Sequence, residues 1–425
     1  MLKETEKILT GILKRELIPA MGCTEPIAIA YAAANARKIL GRMPERIRVG
    51  CSSNIIKNVK SVVIPGTHGL HGIEAAAVAG AVAGDAEAGM QVLAGVTEAD
   101  KDRISEVFEA GICESGHLES EHVLHIRVAM DAGEDRSAVE IMDGHDNLVL
   151  GQRNGKILFD TRGEHGTGGD DGGREKEVLK LSVIKEYADS VDLKKIRPML
   201  ERQINYNMAI AEEGLNGKYG LNYASALLDK HSSVYDRMEA YASAGSEARM
   251  SGCSMPVIIN SGSGNQGITS SVPLVVYCRE KGYPEEKLYR VLAFANLVTV
   301  AQKQYIGKLS AFCGAISAAC ASGAALTYAE NGTLKQIGDT VSNTLAVTAG
   351  IICDGAKPSC GAKIAVGLHA AINAHKLAMK GHCYRAGDGI VCADADTTIR
   401  EVGRIAKEGM EQTDWEIISI MLENL

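Results

Sequence analysis

Apolar and polar positions change their spacing along this chain, and the spacing predicts where helices and strands fall. Near the start, Leu2, Ile8, Leu9, Ile12 and Leu13 recur at helical intervals in an otherwise charged run, which predicts an amphipathic helix as far as Leu17. A second helix is expected over Pro26–Leu40. The run Arg46-Ile47-Arg48-Val49-Gly50-Cys51 then alternates, the mark of a strand with one buried face. The turn Pro65-Gly66-Thr67-His68-Gly69 precedes an alanine-rich helix from about Gly72. Short strands follow at Val123–Met130, Ala138–Met142, Asn147–Leu150 and Lys156–Phe159, joined by Gly, Asp and Asn turns. A small antiparallel sheet beside helices is the simplest assembly. The run Gly163–Gly173 reads as a surface loop, and His165 within it as a solvated residue. From about Val178 the spacing is helical almost without interruption, and Ser251–Leu425 is expected to be all-helical. The expected fold is therefore α+β and predominantly helical. A mixed domain is placed over residues 1–175 and a helical one over 176–425.

Composition sharpens this in three ways. A chain of 425 residues is long for one hydrophobic core, which supports two subdomains. Aromatics make up only 4% while glycine contributes 46 residues, so helices are expected to approach closely through small side chains. The net charge of −8 argues against nucleic acid or an anionic membrane as partner. Ile73–Val96 carries Glu74, Asp85 and Glu87, and Ala311–Ala329 lacks the Leu, Ile and Phe density of a lipid-facing helix. Both are read as buried helices. The charged opening does not read as a secretory signal. Eleven cysteines without such a signal point to a reducing compartment, the cytoplasm, where grouped thiols bind metals or catalyse.

Three of those cysteines stand out. Cys353 and Cys360 bracket the turn Asp354-Gly355-Ala356-Lys357-Pro358-Ser359, whose Gly and Pro break a helix and let both sulfurs face one way. With Cys313 they could hold a soft metal centre, zinc or iron–sulfur, and leave one coordination position free. The alternative is plain core packing, the commonest use of buried cysteine. A further cysteine lies in Met21-Gly22-Cys23-Thr24-Glu25-Pro26, and a backbone-rich loop runs Asn260-Ser261-Gly262-Ser263-Gly264-Asn265-Gln266-Gly267.

Together with Gly350–Lys357 and the interval from Cys313 to Cys353, these segments resemble the L-cysteine desulfidase family. That family is related to the catalytic α chain of iron–sulfur L-serine dehydratases, and the resemblance covers nearly the whole chain. It implies a pyridoxal-free β-elimination of L-cysteine to pyruvate, ammonia and sulfide on a [4Fe–4S] cluster. It also implies that Cys313, Cys353 and Cys360 ligate the cluster, that its fourth iron is open as a Lewis acid, and that Cys23 is the general base. A physical reason supports the last role. Cys23 precedes a helix start marked by Pro26, and free N–H groups with the helix dipole lower a thiol's pKa. Cys23 as a core residue, as a displaceable fourth ligand, or Glu25 as the base remain alternatives.

Ser261, Gly262, Ser263, Gly264, Asn265 and Gln266 form a turn whose successive N–H groups suit a substrate carboxylate. His68 is a candidate to present imidazole to substrate, while Asn54 and Lys57 are read as structural. Cys51, Cys113, Cys253, Cys278, Cys320, Cys383 and Cys392 are read as core or loop thiols. Cys320 lies two turns beyond Cys313, and a zinc site on Cys383 and Cys392 is conceivable. The expected partner is a small amino acid, with homo-oligomerisation open. L-Serine dehydration is the near alternative, and a non-catalytic iron–sulfur or zinc-thiolate protein the more distant one. Asn265-Gln266-Gly267 also resembles the asparagine loop of pyridoxal-dependent eliminases, but no phosphate cradle accompanies it.

Overall fold

The computed structural model describes residues 3–162, 171–307 and 309–423. His165 lies outside them. The glycine-rich run around it ends in structure, since Asp171–Val178 is a helix and not a continuation of the loop. The chain is α+β and predominantly helical.

Six strands form one sheet in the order Cys113–His117, Arg46–Cys51, His125–Ala132, Asp135–Met142, Leu148–Arg153, Lys156–Asp160. Neighbours are antiparallel except the first pair, where Cys113–His117 runs parallel to Arg46–Cys51 with Ile47 opposite Cys113. That edge strand has no apolar alternation to announce it, being Cys-Glu-Ser-Gly-His. The strand Arg46–Cys51 alternates exposed and buried positions as its sequence predicts.

The helix Thr24–Leu40 packs on the strands His125–Ala132 and Asp135–Met142, and the Ser137 hydroxyl donates to the Ala36 carbonyl at 2.8 Å. Its other side meets the helix Ile73–Ala83. A Cβ built on Gly80 would fall 2.1 Å from the Ala30 carbonyl oxygen, so a side chain there would force the pair apart. The same device recurs in the C-terminal portion, where Gly323 on the helix Gly314–Ala329 meets Ala371 on Cys360–Met379. The long helix Glu285–Ile306 is buried along most of its length. Among the described residues no helix is long and apolar enough to cross a membrane.

The N-terminal segment reaches into the helical portion. Pro19–Met21 pairs antiparallel with Pro256–Ile258, and the Ile259 N–H donates to the Ile18 carbonyl at 3.0 Å. One buried apolar cluster runs through both portions. This two-stranded stitch brings the segment that carries Cys23 beside the approach to the Ser261–Gly267 turn.

Candidate active site

Two of the three thiols are set by a backbone bridge. Phe312 and Ile352 pair antiparallel, the Cys313 N–H donates to the Ile351 carbonyl at 3.1 Å, and the Cys353 N–H donates to the Ala311 carbonyl at 2.6 Å. Cys313 caps the helix Gly314–Ala329, and Cys360 opens the helix Cys360–Met379. Between Cys353 and Cys360, Gly355 adopts φ +91°, and a Cβ there would lie 2.3 Å from the Lys57 carbonyl oxygen. Glycine therefore lets the turn rest on the helix Ser53–Val59. Lys357 and Lys363 both pair with Asp354. Burial pushes that carboxyl up, but the two ammoniums outweigh it and hold it at about 2.

The three sulfurs share one electrostatic environment. Burial pushes the Cys313 thiol up to about 12, and negative charge on Cys353 and Cys360 adds to the rise. Burial likewise raises the Cys360 thiol, with Cys353 contributing. Lys303, buried on the helix Glu285–Ile306, is lowered to about 8 by burial while Cys353 and Cys313 pull it the other way. Lys303 also lines a cavity of about 450 Å³ with Thr24, His145, Ser261, Gly262 and Gln304. That cavity joins the start of the helix Thr24–Leu40 to the glycine-rich turn, and Lys303 relates it to Cys313 and Cys353.

Cys23 is the N-cap of the helix Thr24–Leu40, as its sequence predicts, but its thiol does not meet the expected depression. It is buried and donates to Glu25 Oε2 at 3.0 Å. Burial first, then the Glu25 charge, push it well above the ordinary thiol value, while Arg249 acts the other way. The helix dipole loses to burial first and to the Glu25 carboxylate second. Glu25 in turn accepts from Thr24 Oγ1 at 3.0 Å and from Asn58 Nδ2 at 3.1 Å, and His145 Nε2 stands 3.9 Å from Oε1. Burial raises Glu25, yet His145 and Cys23 outweigh it and bring the carboxyl down to about 2.

The turn is closed by reciprocal bonds between Asn260 and Ser263, with Ser261 at φ 49° and Gly262 at 78°. Two consecutive left-handed residues turn neighbouring N–H groups to one side. Gly262 faces His145, Gly264 lies against Arg249, and Gln266 lies against Gly314, next to Cys313. A buried amide network braces the turn from behind. Asn260 donates to Asn296 at 2.9 Å, and Asn296 exchanges bonds with Gln203.

Not every expected residue joins this group. His68 is half exposed and bonds Asp102 at 2.9 Å on the surface, outside the lining of the cavity. Cys320 is fully buried and points at the Val341 carbonyl. Cys383 and Cys392 each face a backbone carbonyl, and no metal-binding group gathers there among the described residues. Lys57 pairs with Asp414 beneath the thiol turn.

Residues 87–419 match the serine dehydratase alpha chain family. The chain belongs to that family. It is also 48% identical over 417 residues to a UPF0597 protein of Lachnoclostridium phytofermentans, covering 98% of this chain and 99% of the relative. A UPF0597 protein of Desulfitobacterium hafniense is 46% identical over 97% of this chain and 96% of its own, and one of Bacteroides fragilis is 36% identical over 99% of each.

Membership in the serine dehydratase alpha chain family implies an iron–sulfur cluster, and the donor set fits one. Among the described residues no three His, Cys, Asp or Glu side chains are gathered closely enough for a single metal ion. A cluster, several atoms across, takes its thiolates from farther apart, and the Phe312–Ile352 bridge with the turn that follows holds Cys313, Cys353 and Cys360 on neighbouring backbone. Three residues of the site were not singled out by the sequence. His145 resembled an ordinary hairpin turn, and Arg249 an ordinary basic residue in a last helical turn. Lys303, a cation inside an otherwise apolar helix, carried a readable signal.

Proposed function

We propose that this member of the serine dehydratase alpha chain family is an iron–sulfur lyase that eliminates sulfide from L-cysteine, leaving pyruvate and ammonia. The observation that supports it most is convergence. The braced glycine-rich turn, His145 and Thr24 line one 450 Å³ cavity with Lys303, which feels the charge of Cys313 and Cys353, while the Cys23–Glu25 pair flanks Thr24. Cys313, Cys353 and Cys360 would hold the cluster, which when bound supplies a Lewis-acidic iron to the leaving sulfur or oxygen.

In this reading Cys23 takes the α-proton. Its own proton must first be lost to solvent, because the charge on Glu25, 3.0 Å away, holds that proton on sulfur and does not take it. The thiolate then takes the proton from Cα, the electron pair forms the Cα–Cβ double bond, and hydrosulfide leaves. The released aminoacrylate tautomerises to an imine, which water converts to pyruvate and ammonia. The turn Ser261–Gly267 faces the carboxylate. His145 is the imidazole at this site, in the position for which His68 is the sequence candidate. The division near residue 175 belongs to the same reading: residues 1–175 bring Cys23, Glu25 and His145, and residues 176–425 bring the turn and the thiols. Eleven free thiols suit a reducing compartment such as the cytoplasm.

L-Serine dehydration by the same residues is favoured by the family's own description. Anaerobic reconstitution with iron and sulfide, followed by sulfide and pyruvate assays on L-cysteine and L-serine, tests both. Pyruvate from L-cysteine with equimolar sulfide supports the proposal, and pyruvate from L-serine alone moves it to the dehydratase. A stable cluster with no product from either amino acid leaves a non-catalytic iron–sulfur protein.

A further inference from the structure

Arg249 is 2% exposed, the largest fully buried side chain of the molecule, and among the described residues no carboxylate lies within ion-pair distance of it. Its Nη1 donates to Asn265 Oδ1 at 3.1 Å, an oxygen that also accepts from Ser246. Its Nε and Nη2 have no partner at all. The neighbouring Glu247 cannot serve, because its oxygens accept from the Leu221 and Tyr223 amides. A buried guanidinium with two unanswered N–H groups is costly.

The two free nitrogens are the pair that share one edge of the guanidinium. That edge is the fork which meets both oxygens of a carboxylate in parallel. A single thiolate, such as Cys23, would use one prong of it. The edge also lies in the right place. Gly264 of the glycine-rich turn packs on it so closely that a Cβ would fall 2.3 Å from Nε and 2.6 Å from Cζ. Arg249 is near enough to Cys23 for its charge to favour the thiolate. So the fork lies against the turn, on a side chain whose charge reaches the residue read as base.

We infer that Arg249 is the residue that fixes the amino-acid substrate, by pairing its Nε–Nη2 edge with the α-carboxylate. The inference rests on the elimination reading for the identity of the ligand, and on the unanswered fork for its chemistry. Admission of the carboxylate requires the turn carrying Gly264 to shift, because both nitrogens are shielded in this state. Specificity follows: an α-amino acid binds, and the same molecule with its carboxylate masked does not.

L-Alanine carries the substrate's ammonium and carboxylate without a leaving group, and L-alaninamide lacks only the carboxylate charge. Calorimetric titration of both into the reconstituted wild type, Arg249→Gln and Arg249→Lys tests the assignment. The amide is expected to bind wild type about 10- to 100-fold more weakly than L-alanine, the usual range for charge-assisted hydrogen bonds. Arg249→Gln should weaken L-alanine by a similar factor and lose the discrimination, with Arg249→Lys between. Equal binding of acid and amide to wild type overturns the inference, as does binding of neither, or unaltered L-alanine affinity in Arg249→Gln. Should the variants fail to fold, a crystal structure with L-alanine decides, by carboxylate oxygens on Nε and Nη2 or elsewhere. A wild type that holds L-alanine on Arg249 yet releases no pyruvate from either amino acid leaves this assignment standing and removes the elimination.

Discussion

Replacing Glu25 with Gln separates acidity from turnover at Cys23. The carboxylate oxygen lies 3.0 Å from the sulfur, which puts the centre of its charge about 4 Å away. At an effective dielectric of about 20, that charge costs a Cys23 thiolate about 4 kcal/mol. Relaxation of the site returns part of it. The new carboxamide can still accept from Cys23 and Thr24 while its NH₂ faces an Asn58 turned to present its oxygen. Each 1.4 kcal/mol is a factor of ten in thiolate population, so labelling of Cys23 by iodoacetamide at neutral pH should quicken about tenfold or more. Turnover should not rise in proportion, because the thiolate made easier to form is a weaker base towards the α-proton. Mass spectrometry of the Cys23 peptide measures the first, and pyruvate release the second, in protein matched for iron content. Slower or unaltered labelling would show that Glu25 does not hold the proton on sulfur, and the reasoning fails. Turnover that rises in step with the labelling would show that thiolate population, and not basicity, limits the reaction.

Serine at Cys313, Cys353 or Cys360 should abolish both cluster absorbance and elimination, whereas Cys320→Ser should keep iron; iron analysis showing the reverse sinks the ligand set. Gly264→Ala places a Cβ 2.3 Å from Arg249 Nε, an overpacking worth about 1–3 kcal/mol, and should raise KM while the cluster spectrum stays unaltered. His375 is buried with Nδ1 2.9 Å from the Thr327 hydroxyl, and burial lowers it to about 4 from 6.5. The unfolded chain therefore takes the proton first, and stability falls as pH drops from 6.5 to 4, by about 3 kcal/mol in all. Thermal melts across that window should flatten in His375→Gln, and an unaltered slope would place the acid lability elsewhere.

What could be read from the sequence follows from how local each signal is. The alternation in Arg46–Cys51 and the helix beginning at Cys23 depend on near neighbours, and both appear where expected. The edge strand Cys113–His117 depends on its partner instead. It lies parallel to Arg46–Cys51 and exposes most of its length, so no alternation marks it. The strand Pro19–Met21 is too short to show a period, and its partner is over two hundred residues away. The site divides in the same way. The Cys353–Cys360 turn and the Ser261–Gly267 turn are contiguous and legible. His145 and Arg249 acquire meaning only from residues remote in the chain, Glu25 for one and Gly264 for the other. The lowered thiol expected at Cys23 was a local inference too. It failed because the helix dipole is local, while the burial of the thiol, the larger cause, comes from the packed fold, with the Glu25 carboxylate adding to it.

The family match begins at residue 87 and so includes the turn, Arg249, Lys303 and the three thiols, while Cys23 and Glu25 precede it. The proton-handling pair therefore rests on contacts, and these tie it to the matched region from several sides. Asn58 bonds Glu25, and its neighbour Lys57 lies beneath Gly355 of the thiol turn. His145 stands between Glu25 and Gly262. A shift of the helix Ser53–Val59 would thus be felt both at Glu25 and at the Cys353–Cys360 turn. In the proposed elimination the N-terminal portion would then be part of the catalytic apparatus. Its sheet supplies the His145 hairpin, its second helix supplies the thiol, and the strand Pro19–Met21 fixes their distance from the turn.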